Sequence, residues 1–168
     1  MLDRAHTCCF TGHRPEKLPW GTNENDLRCL RLKARIADVV EAVYREGYRH
    51  FVCGMARGCD LYCGEAVLAF RESHADVVFE AAIPCADQCR NWPAAERRRW
   101  QRLVDEADLE TMIQEQYTRG CMQRRNRYMV DHSSLVIAVY DGSAGGTRNT
   151  LEYAITRGVS FVDLQIEE

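Results

Sequence analysis

Apolar and polar positions alternate along the chain in blocks that switch between two periods, and the switching predicts strands and helices in turn. Ala5 to Phe10 is a short apolar run that Thr11-Gly12-His13-Arg14-Pro15 stops, the pattern of a strand feeding a loop. Leu32, Ile36, Val39, Val40 and Val43 then recur at the spacing of a helix with one buried face, and Gly47 ends it. His50 to Cys53 predicts a second strand, followed by a glycine loop at 54–60 and a helix from about Leu61 to Arg71. Val77 to Ile83 predicts a third strand, closed by Pro84, and Pro93 opens a helix reaching about Ala107. Thr111 to Gln116 fits a short edge strand or a helical turn. A helix follows over Gly120 to His132. Ser134 to Tyr140 is continuously apolar and β-branched, as a parallel strand covered on both faces requires. Gly146 to Arg157 predicts a last helix and Val159 to Leu164 a last strand.

Strands that alternate with helices define an α/β fold, a Rossmann-like three-layer sandwich with a mostly parallel sheet flanked by helices. The length of 168 residues suits one domain over 1–168, and 46% hydrophobic with 28% charged residues excludes a disordered chain. With no run of roughly 18 apolar residues and no secretory signal pattern, a cytoplasmic protein without a membrane partner is expected. The nine cysteines show no zinc or disulfide spacing, so reduced thiols, several packed as small apolar groups, are expected and no metal site is assigned. The net charge of −3 gives no global field favouring nucleic acid. Arg97 to Arg99 fan around a helix and form no single stripe; in the second cluster, Arg119, Arg124, Arg125 and Arg127, it is Arg124 and Arg127 that, with Trp20 and Trp92, keep single-strand binding as a minority reading. Nucleic acid is therefore expected to be an unlikely partner.

In an open parallel sheet the ligand crevice lies beyond the carboxyl ends of the strands. Three loops at such ends carry glycine beside polar groups: Thr11-Gly12-His13-Arg14, the segment from Gly54 through Arg57 and Gly58 to Asp60, and the segment from Asp141 to Gly145, Gly146 and Thr147. Glycine lets the backbone approach an anion, and a following helix start directs free N–H groups at it. That suits a phosphate. Neither a Walker A loop nor a GxGxxG fingerprint is present, which removes support from ordinary ATPase and dehydrogenase readings, and no cofactor is assigned. Asp60 is placed to cap its helix or to hydrogen-bond a ribose hydroxyl.

TGHRP at 11–15, GMARGCD at 54–60, RRNRYMVDHSSLVIAVYDG at 124–142 and GGTRNTLEYA at 145–154 together resemble the YpsA-like family of the SLOG superfamily. That superfamily includes the DNA-processing protein DprA and the LOG phosphoribohydrolases. The resemblance implies binding of a nucleotide or nucleotide-derived ligand, with a homodimer as a further implication by analogy. Met122-x-x-Arg125-Asn126-x-x-Met129 and Gly145-Gly146 with Glu152 are similar to the LOG catalytic region, which implies Arg125 and Glu152 as a catalytic pair. Asn126 replaces the LOG lysine, Ala144 a proline, and Arg148-Asn149 a Gly-Thr dipeptide; a second register puts Gly146-Thr147 on that dipeptide and Thr150 on the glutamate. The leading expectation is a sensor or regulatory protein that binds a phosphorylated nucleotide-type small molecule through Thr11, Gly12, His13, Arg14, Gly54, Arg57, Gly58, Asp60, Asn126, Asp141, Gly145, Gly146, Thr147 and Asn149. A LOG-like hydrolase that cleaves an N-glycosidic bond of a nucleoside 5′-monophosphate, and a DprA-like single-strand binder, are the alternatives.

Overall fold

The structure is a computed structural model that describes residues 3–168. Six strands, β1 (Thr7–Gly12), β2 (His50–Cys53), β3 (Val78–Ile83), β4 (Leu109–Met112), β5 (Leu135–Tyr140) and β6 (Ser160–Gln165), form one sheet in the order β4-β3-β2-β1-β5-β6. Every pairing is parallel. Five helices connect them: α1 (Leu27–Arg45), α2 (Cys59–Arg71), α3 (Ala94–Glu106), α4 (Cys121–Asp131) and α5 (Gly146–Thr156). This is the Rossmann-like α/β layout that the sequence predicts.

The period-2 alternation of the strands divides the core. Cys8, Phe10, Ile137 and Val139 pack with buried residues of α1, α2 and α3. Their neighbours Cys9, Val136 and Ala138 pack with Met129 and Val130 of α4 and Leu151 and Ala154 of α5. All nine cysteines are free, and eight of them are buried. Burial pushes the Cys9 thiol up to about 12, so that it packs as a neutral, small apolar group.

Three boundaries differ from expectation. Ala5 and His6 belong to a short 3-10 turn capped by Asp3, and β1 starts at Thr7 and continues to Gly12, where its pairing with Val139 of β5 holds it extended. Helix α2 begins two residues earlier, at Cys59, because the Cys59 N–H finds the His13 carbonyl at 3.1 Å. The ambiguous segment is an edge strand, set earlier at Leu109–Met112, where it pairs with Glu80 to Ile83 of β3.

Topology positions the site. From β1 the chain builds outward through β2, β3 and β4, and β5 then returns to the other side of β1. At such a switch of direction the loops leaving two neighbouring strands diverge and open a crevice. Here those loops start at His13 and Asp141.

Candidate functional site

The loop after β1 is pinned from both sides. The His13 N–H donates to the Val139 carbonyl at 3.0 Å, and the His13 carbonyl accepts from Cys59. Its ring Nε2 lies 2.8 Å from Asp141 Oδ1 across the switch point. The same Asp141 oxygen accepts the Ser143 N–H at 2.9 Å, and the Ser143 and His13 contacts hold the carboxyl well below the usual carboxylate range. Lys17 adds a second tie, donating to the Ala144 carbonyl and lying against Gly145. The loops after β1 and β5 are thus latched together by one histidine–carboxylate contact and one cation-to-carbonyl bond.

Beneath the latch are two adjoining hollows. One, of about 390 Å³, is lined by Gly12, His13, Arg14, Glu16, Lys17, Gly146 and Thr147. The other, of about 50 Å³, shares Gly12, Arg14, Gly146 and Thr147 and adds Thr11, Asp60, Arg125 and Asn126. Helix α5 begins at this junction with Gly145 as its N-cap, without a side-chain cap. A Cβ built on Gly146 would meet nothing within 4 Å, so the first turn opens onto empty space. Uncapped N–H groups at a helix start carry the positive end of the macrodipole. Gly12 serves by smallness, since a Cβ there would stand 2.5 Å from Cys59 Cβ.

The cations play different parts. Arg14 is exposed on both hollows, and its side chain has no ion-pair partner among the described residues. Arg125 is buried, donates to the Gly54 carbonyl and to Asn126 Oδ1 (2.8 Å), and fills the space a Cβ at position 54 would need. Burial pulls its guanidinium below the usual arginine range, and the nearby Asp60 charge opposes that. Asp60 is buried too: burial pushes its carboxyl up, against the charge of Arg125 and a 3.1 Å bond from the Ala56 N–H. Asp60 does not cap α2, whose N-cap is Gly58; from the first turn its carboxylate reaches back to the loop amide of Ala56.

Other expected residues lie elsewhere. Arg57 turns to Glu96 and Glu16 and lines neither hollow. Gly58 is closed off by the His13 carbonyl, so it shapes the β1 loop from behind. Asn149 and Glu152 line a separate hollow of about 280 Å³ with Gln123, Asn126 and Arg127. Glu152 is 62% exposed there and paired with Arg148 at 3.3 Å. Arg125 and Glu152 therefore do not meet in one cavity; Asn126, which lines both, stands between them. Lys17, Glu16 and Ser143 were missed in the sequence; their proximity to TGHRP and Asp141 was the available signal.

A parallel sheet with a crevice of backbone N–H groups and arginines at its switch point defines the Rossmann-like proteins that receive ligands beyond the strand ends. Within that class the chain belongs to the YpsA family, described as the YspA SLOG family, whose profile matches residues 8–162. It is 32% identical over 138 residues to the uncharacterized SPbeta prophage-derived protein YoqJ of Bacillus subtilis, covering 74% of this chain and 81% of that protein. Among solved structures, its fold is similar to DNA processing protein A from Helicobacter pylori (TM-score 0.68, 17% identity, 99% of this chain and 68% of that one). It is also similar to DprA from Streptococcus pneumoniae (TM-score 0.63, 17% identity, 95% of this chain and 50% of that one).

The Helicobacter structure is described by its single-stranded DNA binding mode. That finding overturns the expectation that nucleic acid is an unlikely partner, since it rested on net charge. A whole-chain sum of −3 does not register that Arg14, Arg124 and Arg127 are exposed individually. No helix among the described residues is long and apolar enough to cross a membrane.

Proposed function

We propose that the crevice between the β1 and β5 loops holds the phosphate of a nucleotide or nucleotide-derived ligand, and that the protein acts as a binding module of sensory or regulatory type. The observation that carries this reading is the convergence of the open start of α5, the Gly12 backbone and the unpartnered Arg14 on one hollow. Helix N–H groups supply directed donors and partial positive charge, and Arg14 supplies a full charge and a planar fork that matches two phosphate oxygens. Arg125 closes the floor of the smaller hollow.

Binding is favoured over hydrolysis by where the carboxylates are. Cleaving an N-glycosidic bond builds positive charge on the sugar, which a free carboxylate must face. Of the carboxylates lining the two hollows, Glu16 is engaged by Arg57 and Asp60 by the Ala56 N–H, while Glu152 belongs to another hollow.

Thermal unfolding with ribose 5-phosphate and AMP tests the reading. A ligand at a hundred times its dissociation constant should add about 2.7 kcal/mol of stability. Arg14→Ala should leave the unliganded protein as stable as before and weaken both ligands about tenfold or more, as loss of a charged hydrogen bond does. Absence of stabilisation by any phosphorylated ligand, or an unchanged response in Arg14→Ala, would refute it.

A second reading, a strand of nucleic acid as the phosphate donor, is favoured by the fold shared with DNA processing protein A and by Arg124 and Arg127, both exposed on α4. It requires oligonucleotide affinity that falls steeply with salt and with Arg124→Ala and Arg127→Ala.

A further inference from the structure

Beyond the end of β3 there is a fourth hollow, of about 370 Å³, that the phosphate reading does not use. The loop after β3 contributes Cys85, Gln88, Arg90 and Trp92, and the segment entering α4 contributes Tyr117 and Met122. The two aromatics are the unusual part. Trp20 and Trp100 are buried and donate their indole N–H inside the fold, to Tyr62 Oη and Gln88 Oε1. Trp92 is only half-buried, and its indole N–H donates to no described residue. Tyr117 is 63% exposed, the most exposed aromatic side chain on the molecule's described surface among the large apolar residues. Asn91 and Asp87 line the same hollow, and Asp87 stands 4.0 Å from Arg90, a loose contact that leaves its oxygens available.

This hollow is joined to the crevice through one carbonyl. Gly54 O accepts from Arg125, which lines the smaller phosphate hollow, and at 3.0 Å from Gln88 Nε2, which lines the aromatic one. Gln88 is itself held by Trp100, so the partition is rigid. The crevice opens between β1 and β5 and the aromatic hollow beyond β3, two to three strand spacings apart, roughly 10–14 Å, and an extended nucleotide covers the near end of that span from its 5′-phosphate to its base.

We infer that the aromatic hollow is the base subsite of the same ligand, resting on the phosphate reading above: a nucleoside 5′-phosphate with its phosphate at Gly146 and Arg14 and its base against Trp92 and Tyr117. Indole and phenol faces stack on any base, while Asn91 and Asp87 offer donors and acceptors to a base edge. A free mononucleotide and one unit of a single strand present identical chemistry to such a subsite.

Titrations with ribose 5-phosphate, AMP and a short oligothymidylate, followed by tryptophan fluorescence and calorimetry, separate these possibilities. AMP should bind about tenfold or more tightly than ribose 5-phosphate, as one stacked base contributes, and it alone of the two should quench the fluorescence. Trp92→Leu and Tyr117→Leu should each weaken AMP and leave ribose 5-phosphate unchanged; Tyr117 is exposed, so its replacement keeps the test valid should Trp92→Leu fold poorly. An oligothymidylate that outcompetes AMP with the same dependence on Trp92 and Tyr117 would identify a strand as the source, and one that fails to compete would identify a mononucleotide. Equal affinities for AMP and ribose 5-phosphate, or AMP affinity that survives both substitutions, would overturn the base subsite alone. Failure of ribose 5-phosphate to bind would instead overturn the phosphate reading, and the base subsite with it.

Discussion

Gly58 has φ +83°, and a Cβ there would lie 2.7 Å from the His13 carbonyl oxygen, whereas a Cβ on Gly146 would meet nothing. In the sequence these two residues look alike, each a loop glycine before a helix. Pattern shows that glycine is required and leaves open whether the cause is a backbone angle, a close neighbour or a ligand. Gly58→Ala should therefore cost about 1–3 kcal/mol from backbone strain alone, seen as a lower midpoint in urea unfolding. Gly146→Ala should leave the midpoint within about 0.5 kcal/mol and act on ligand affinity instead. Equal destabilisation by both would contradict the open start of α5. Arg14 and Arg57 illustrate the same limit, because their opposite circumstances depend on Glu16 and Glu96, and Glu96 lies 39 residues from Arg57. His13 and Asp141 each stand at a strand end in the sequence, but their contact was not legible there, since 128 residues separate them.

At the scale of elements, the strongly patterned segments were readable because their period and their burial have the same cause. β5 is apolar throughout since helices cover both of its faces, and α1 carries its stripe Leu32, Ile36, Val40 and Val43 against the sheet. β4 was hard to place because an exposed edge strand of four residues has no such periodicity. What holds it is polar and lies inside: Glu80 of β3 accepts hydrogen bonds at 2.6 Å from Thr111 of β4 and at 2.6 Å from Tyr128 of α4. His50 Nε2 of β2 stands 2.6 Å from Glu80 Oε2. Burial alone would push the Glu80 carboxyl up; His50, Thr111 and Tyr128 outweigh it and bring the pKa from 4.5 down to about 2. A pKa depressed by folding stabilises the native state above its unfolded value and loses that contribution as pH falls through the folded one. Thermal midpoints should thus drop between about pH 4.5 and pH 2, and Glu80→Gln should flatten that limb while lowering the midpoint at neutral pH. An unchanged acid limb in the variant would show that other carboxylates govern it.

For the whole molecule, fold class followed from the alternation of elements, but strand order did not, and strand order makes the site. Only the return of β5 to the far side of β1 brings the His13 and Asp141 loops together and opens α5 toward Gly12. Net charge misled for a related reason: summed over the molecule it is −3, yet Arg14 and Arg125 both face the crevice, and the acid at its rim, Glu16, is paired. The catalytic pair implied by resemblance to the LOG enzymes is not brought together, as Glu152 of α5 lines a different hollow from Arg125 of α4.

Backbone amide NMR, titrated with ribose 5-phosphate, reads directly whether the start of α5 and the β1 loop hold a phosphate. The largest shifts should fall on Gly12, His13, Gly146, Thr147 and Arg148, and Arg14→Ala should move their saturation to about tenfold or more higher ligand concentration. Shifts centred instead on Gln123, Asn149 and Glu152, or none above the level of added salt, would contradict a phosphate held there.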